Sequence, residues 1–410
     1  MQPNNQAIRN KKDLLNHFGS SQKLEIRNLQ QIDRFLKINV LLEVWEDALN
    51  RNLLSFNQEI VQQTQELTFD NRKIECIHLV SFLINLTVLN LNYNQISDIS
   101  SISKLKNLKQ LYLGRNKIGD ISALQYLPYL TSLELSKNKL TTYTLALPNL
   151  QLLSLSNNPL QYKSGLQHSP KLQILQLSET ETTDLQILTH QLFGVKFLSL
   201  KQNNITEISY LSNFVDLQIL DLNQNIQLKS IGPLKLCTQL TSLRICKTSV
   251  TDIWPLQFIK NLNKLEMAFT QVIDLHPLQH LYRLEIIFAD NASIIDVSPL
   301  SQLTQLKDLR IWNNKITNQE RFKHHKNFSE YDFSDQEVPT TEDLKFYDKI
   351  LKVHSSHKQI RKIMNGNKFR TSLAQNKKYV SIMLNNQIQT MNIQVDMLIQ
   401  VVQNSISYME

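Results

Sequence analysis

Glycine is scarce, with 7 residues in a chain of 410. That argues against folds built around several glycine-rich phosphate loops. Gly114 and Gly119 have phosphate-loop spacing, but Asp120-Ile121 follows where a Lys-Ser/Thr pair would be required. Cysteine is scarcer still: Cys76, Cys237 and Cys246 are odd in number and far apart. They provide no disulfide framework and suggest a reducing compartment. The opening MQPNNQAIRNKKDLLNHF lacks the unbroken apolar stretch of a secretion signal, and no run approaches the length of a membrane span. The expectation is an intracellular protein, cytoplasmic or nuclear. Asn-x-Ser/Thr triplets at Asn85, Asn204, Asn291 and Asn327 are what a chain rich in these residues produces by chance. Acidic side chains are missing from one long stretch, the interval between Asp348 and Asp396.

What is present is a repeat. LTVLNLNYNQISDIS at 86–100 is followed 22 residues later by LKQLYLGRNKIGDIS, and the pattern continues to LKDLRIWNNKIT near residue 317. Twelve turns fit between residues 61 and 324, with one turn of 20 residues (127–146) and two of 23 (169–191, 214–236). Fixed self-similarity at this period signals a solenoid whose turns stack to bury a continuous core. In each turn two leucines, such as Leu89 and Leu91, alternate with polar residues, which predicts a short strand with the leucines inward. The later apolar residues Ile96, Ile99 and Ile102 are spaced by three, which suits a helical or 3-10 return path on the other side.

The pattern LxxLxLxxNxIxDIxxLxxL resembles the leucine-rich repeat in its 22-residue form, as in the nuclear regulatory subunit of protein phosphatase 1. DIWPL, DLHPL and DVSPL at 252–256, 274–278 and 296–300 resemble internalin repeats. The resemblance covers 61–324 and implies an α/β solenoid, a leucine-rich-repeat horseshoe with a parallel β-sheet on its concave face and a short helical or 3-10 convex side. It also suggests a phosphatase-like enzyme as one kind of partner, through repeat type alone.

A bend in every turn leaves backbone donors and acceptors that cost about 1–3 kcal/mol each when buried unpaired. Asn94, Asn116, Asn138, Asn158, Asn203, Asn225 and Asn314 stand where a side-chain amide supplies both partners. Thr180, Thr248, Thr270 and Ala292 interrupt the row. Alanine offers no hydrogen bond, so the turn 281–302 is expected to be irregular or shifted in register. Asp98, Asp120, Asp184, Asp252, Asp274 and Asp296 precede short apolar turns and read as helix caps.

Signals for catalysis are weak. His276 and His280, and His354 and His357, lack the further ligands zinc requires. Cys246 lies beside Arg244 and Lys247, where a lowered thiol pKa is conceivable, yet no orienting histidine accompanies it. A non-catalytic protein without a cofactor is the expectation. Binding is expected at the side chains flanking the inward leucines: Tyr93, Tyr112 and Arg115 early, and Arg244, Phe269, Phe288, Arg310 and Trp312 late. Arginine and aromatic residues dominate interface hot spots. Leu152, Ile174, Phe197 and Ile219 form an apolar row between them, open either to sideways packing or to binding, and Trp312 is open either to a partner or to cover by the C-terminal extension.

Two flanks complete the organisation. Residues 1–60 read as a helical cap. Residues 325–410 read as a C-terminal cap and a basic antiparallel helical hairpin, its two apolar stripes separated by Asn365-Gly366-Asn367. The residues 380–404 suit dimerisation through a coiled coil as well as docking elsewhere. Lys358, Arg361, Lys362, Lys368, Arg370, Lys377 and Lys378 form a basic patch. The function these features support is a scaffold or regulatory subunit binding a protein partner on the concave face; association of the basic hairpin with nucleic acid or an anionic surface is the alternative.

Overall fold

The computed structural model describes residues 62–188 and 192–318, together with 24–26, 54–56, 331–332 and Lys345. Strands β1 (Leu24–Ile26) and β2 (Leu54–Phe56) pair in parallel with each other. The helical reading of the N-terminal flank is therefore wrong at these two places. Leu24-Glu25-Ile26 and Leu54-Ser55-Phe56 alternate apolar and polar residues, a period of two that the flanking helical pattern obscured.

Among the described residues the main sheet is open, with thirteen strands in sequential order. They are β3 (Glu66–Thr68), β4 (Val88–Asn90), β5 (Gln110–Tyr112), β6 (Ser132–Glu134), β7 (Leu152–Ser154), β8 (Ile174–Gln176) and β9 (Phe197–Ser199), followed by β10 (Ile219–Asp221), β11 (Ser242–Arg244), β12 (Lys264–Glu266), β13 (Ile286–Phe288), β14 (Asp308–Arg310) and β15 (Tyr331–Asp332). Twelve of these fall one per turn in the span 61–324. The thirteenth, β15, pairs with Leu309 and Arg310 beyond the expected end of the array. Each strand aligns its middle residue with that of the next, as in Leu89↔Leu111 and Leu220↔Leu243. A parallel ladder needs a crossover between strands. Here it is a 3-10 turn such as Ser100–Lys104 or Trp254–Phe258. In the later turns Pro233, Pro255, Pro277 and Pro299 start it, their ring fixing φ where no N–H is needed.

Between sheet and return path runs one apolar column. Leu89, Leu91, Ile96, Ile99 and Ile102 of one turn and Leu105 at the start of the next are all buried, and most turns repeat the arrangement, with Lys163 and Ser169 buried at two of these positions in the turn after the short one. Burying each such side chain stabilises by about 1.5–3 kcal/mol. The 20-residue turn departs from this. It has no 3-10 segment; a bridge pairs Thr142 with Tyr162, and Tyr143 is fully buried at the position Ile121 holds one turn earlier.

The asparagine row closes the bends. The Asn94 Oδ1 accepts hydrogen bonds from the Arg72 and Ile74 N–H groups, each 3.0 Å, while its Nδ2 donates to Phe69 O at 2.8 Å and Leu91 O at 2.9 Å. Asn158 repeats the pattern with Leu140 N–H, Leu135 O and Leu155 O. The amide thus joins two turns. Thr180, Thr248 and Thr270 keep a bond within their own turn, to Leu177 O, Ile245 O and Met267 O at 2.8 Å each. Ala292 contributes none, yet β13 stays in register with β12 and β14. The irregularity expected around 281–302 does not occur, because ladders on both sides hold the strand in place.

A feature the repeat pattern hides is the residue before each ladder position. From Tyr93 to Asn313, eleven consecutive turns put a non-glycine residue at φ between 51° and 62°. This left-handed geometry costs about 1–2 kcal/mol per residue. The aspartates act as Asx turns one residue ahead of the formal cap: Asp98 accepts from Ser100 N–H at 2.8 Å and Asp252 from Trp254 N–H at 2.7 Å.

Two stability tests follow from the ladder and the short turn. Replacing Asn158 by Ala leaves three buried backbone groups unpaired and lowers stability by on the order of 3 kcal/mol; Thr270→Ala removes one bond and costs about 1 kcal/mol. Urea midpoints of the two variants are expected to fall in that order. A Cβ at Gly165 would lie 2.6 Å from the Leu145 backbone N and O. Gly165→Ala is therefore expected to lower the urea midpoint by the equivalent of roughly 1–3 kcal/mol, and an unchanged midpoint would show that the two turns are not packed this closely.

Candidate functional site

Outward side chains at the first and third positions of each strand make one face of the sheet. The predicted residues separate on it into two groups. Tyr112 ends β5, half-buried, with its hydroxyl donating to Gln110 Oε1 at 2.9 Å. Tyr93 and Arg115 are not on the sheet face. They are left-handed bend residues on its rim, where the Arg115 guanidinium lies 4.8 Å from the Tyr93 ring centroid. Phe269 is likewise a bend residue, exposed, with Lys247 Nζ 5.5 Å from its ring. The left-handed φ swings these side chains off the face their spacing suggested.

The second group is joined across strands β10 to β14. Arg244 Nη1 lies 3.5 Å from Asp221 and its Nε 3.3 Å from Glu266, which also receives Lys264 Nζ at 2.7 Å. Phe288 sits between two cations, Lys264 Nζ at 5.3 Å and the Arg310 guanidinium at 4.2 Å from its centroid. Arg310 in turn faces Asp308 at 3.4 Å. Trp312, two residues beyond β14, is half-buried, and its backbone N–H donates to Asp290 Oδ1. Arg244 is thus linked to Phe288 and Arg310 through Glu266 and Lys264 on the strand between them, with Trp312 following on the same chain segment as Arg310. Tyr112 on β5 is six strands from Arg244 on β11, roughly 29 Å at the usual strand spacing, and further still from the others.

Between the groups, Leu152, Ile174, Phe197 and Ile219 are in register on β7 to β10, and all four are half-buried. Beside them Ser154 and Ser199 are buried, and the Ser178 and Ser199 hydroxyls are 2.7 Å apart. Small side chains make this part of the face a shallow apolar strip with a hydroxyl border. The serines were missed in the sequence because they stand at variable positions.

Other candidates resolve differently. Cys246 lies just past β11, and burial together with nearby Glu266, Asp221 and Asp290 pushes its thiol up to about 11. The lowered thiol entertained from sequence is therefore reversed: Arg244 is engaged by carboxylates, and the thiol experiences their charge. His276 Nδ1 is 2.6 Å from Asp274 Oδ1, and His280 Nδ1 is 3.1 Å from the Tyr282 hydroxyl. Among the described residues no three His, Cys, Asp or Glu side chains are grouped to hold a metal ion. Lys358, Arg361, Lys362, Lys368, Arg370, Lys377 and Lys378 lie outside the described residues, as do the hairpin and the dimerisation segment 380–404. No helix among the described residues is long and apolar enough to cross a membrane.

The thiol is directly testable. With its pKa raised to about 11, Cys246 holds almost no thiolate at neutral pH. Peptide mapping of iodoacetamide alkylation is expected to find slow labelling near pH 7, rising about tenfold per pH unit toward pH 10. Rapid labelling at pH 7 would contradict the charge environment described.

Comparison with known proteins agrees with this architecture. The family model for leucine-rich repeats in two copies matches residues 84–126 and 194–236. The chain is 31% identical to an internalin (inlF) from Listeria monocytogenes, covering 70% of this chain and 86% of that one with a TM-score of 0.63. A leucine-rich-repeat protein from Leptospira interrogans, 21% identical, has the same fold with a TM-score of 0.58 over 72% of this chain and 85% of that one. Among curated proteins none matches by sequence. Stacked strand, asparagine bend and 3-10 return, with an internalin relative over most of its length, show that the chain belongs to the leucine-rich-repeat family, whose members commonly serve as protein-interaction scaffolds.

Proposed function

We propose that the protein is a non-catalytic scaffold or regulatory subunit that binds a protein partner on the exposed face of its sheet, the concave face of the leucine-rich-repeat fold. The observation that carries this reading is the ordered set Arg244, Lys264, Phe288, Arg310 and Trp312. Phe288 is held between two cations, so its ring and the Arg310 guanidinium are oriented before any partner arrives. Preorganised aromatic and arginine groups lose little rotamer freedom on binding and contribute most to affinity. The apolar strip Leu152, Ile174, Phe197 and Ile219 extends the same face with area a partner can cover. A fold shared by many activities does not name the partner, so the reading rests on these side chains and not on the repeat.

The test is the combined variant Phe288→Ala, Arg310→Ala and Trp312→Ala. Affinity capture with mass spectrometry is expected to lose the proteins retained by the wild-type chain, with affinity falling roughly a hundredfold or more. Thermal unfolding should move little, since none of the three belongs to the core column. An unchanged set of captured proteins would refute the assignment.

A further inference from the structure

The rim beside β3 to β6 carries charge that the structure does not neutralise. Arg115 and Lys137 are the left-handed residues of two adjacent bends, and Lys117 and Lys139 follow each of them two positions later. Lys73 occupies the equivalent place in the first bend. All five are exposed. Among the described residues none of them forms an ion pair; Lys117 donates to the neutral Gln95 Oε1 at 2.9 Å, and Arg115 lies over Tyr93. Four cations of the later turns behave otherwise. Arg244, Lys264, Lys307 and Arg310 each face a carboxylate.

The strip is also bounded. Asp70 and Glu75 flank its first bend, Glu134 stands on the neighbouring sheet face, and the left-handed position two turns past Lys137 is Glu179, with Glu181 two residues on. Four bends at the parallel-strand spacing span about 14 Å, the length of about four extended residues. A long polyanion following this rim would run onto carboxylates at either end, whereas a short acidic segment would not. Tyr93, 53% exposed, adds an aromatic surface at the same spot.

We propose that this strip binds a short acidic peptide segment of the partner, its carboxylates paired with Arg115, Lys117, Lys137 and Lys139 and an apolar side chain against Tyr93. Arg115 is suited to a bidentate carboxylate contact, because the Tyr93 ring meets its guanidinium and restricts its orientations. The proposal rests on the reading of the protein as a partner-binding scaffold, but it concerns residues separate from Phe288, Arg310 and Trp312.

The experiment uses the full chain and a fluorescent peptide of alternating Glu and Ala, read by anisotropy at low and moderate salt. The all-Gln counterpart peptide and a single-stranded oligonucleotide of equal charge serve as competitors. The variant Arg115→Gln, Lys117→Gln, Lys137→Gln and Lys139→Gln is expected to weaken the Glu peptide roughly tenfold or more, with its melting temperature unchanged. Lys137→Gln and Lys139→Gln alone should each show a smaller loss in the same direction. A quartet of equal charge elsewhere, Lys171→Gln, Lys196→Gln, Lys229→Gln and Lys260→Gln, is expected to bind as the wild type does, and so is the Phe288, Arg310 and Trp312 variant. Unchanged affinity in the rim variant, equal loss in the distant quartet, or tighter binding of the oligonucleotide with the same loss would each overturn the proposal. Any of those results leaves the capture test on the sheet face independent.

Discussion

Every turn of this solenoid depends on how a buried bend satisfies its backbone. The chain must leave the strand sharply, and it does so through a residue in the left-handed region, which L side chains adopt at a cost of about 1–2 kcal/mol. The turn also strands N–H and C=O groups where water does not reach. A single buried amide resolves this. It accepts from the preceding turn and donates to both, so the bond that closes one bend also fixes the spacing to the next. Ladder, register and period are consequences of one side chain repeated.

The interruptions show how much redundancy the array holds. Threonine retains the bond to its own turn and loses those to the one before, and alanine at 292 loses all of them. The sheet nonetheless continues in register through these turns, because strand pairing and the leucine column fix the same alignment independently. Several weak devices agreeing on one geometry is what allows local departures. The same stacking appears on the outer rim: Asn107 donates to Ile84 O and Asn261 to Thr238 O, an exposed counterpart of the buried ladder.

Because the core is the same in every turn, differences along the chain are confined to outward positions. Parallel register turns those positions into rows, and a row is where single-turn differences become a surface. In the later turns the row alternates Asp221, Arg244, Glu266, Phe288 and Arg310, so neighbours neutralise and orient one another. In the early turns cations accumulate on the rim without carboxylates, leaving a field directed outward. One scaffold thus presents a pre-ordered aromatic cluster near one end of the sheet and uncompensated charge near the other.

Much of this was legible in the residues alone. The 22-residue period, the inward leucines, the amide row, the 3-10 return and the capping aspartates are written as local spacing, and local spacing survives reading one turn at a time. What was not legible depends on direction and on neighbours a whole turn away. Tyr93, Arg115 and Phe269 occupy promising positions, but only the sign of φ moved them from the face to the rim. The Cys246 thiol looked activated beside two cations until the adjacent turns supplied Glu266, Asp221 and Asp290. The alternation in β1 and β2 was too short to outweigh the apolar spacing of the sequence around it, and only their pairing revealed it. The sequence by itself determined that the chain repeats, what each turn buries and how each bend is closed, since these follow from periodicity within about twenty residues. Tertiary stacking alone decided which outward side chains meet, because residues a turn apart become neighbours only after the strands have paired.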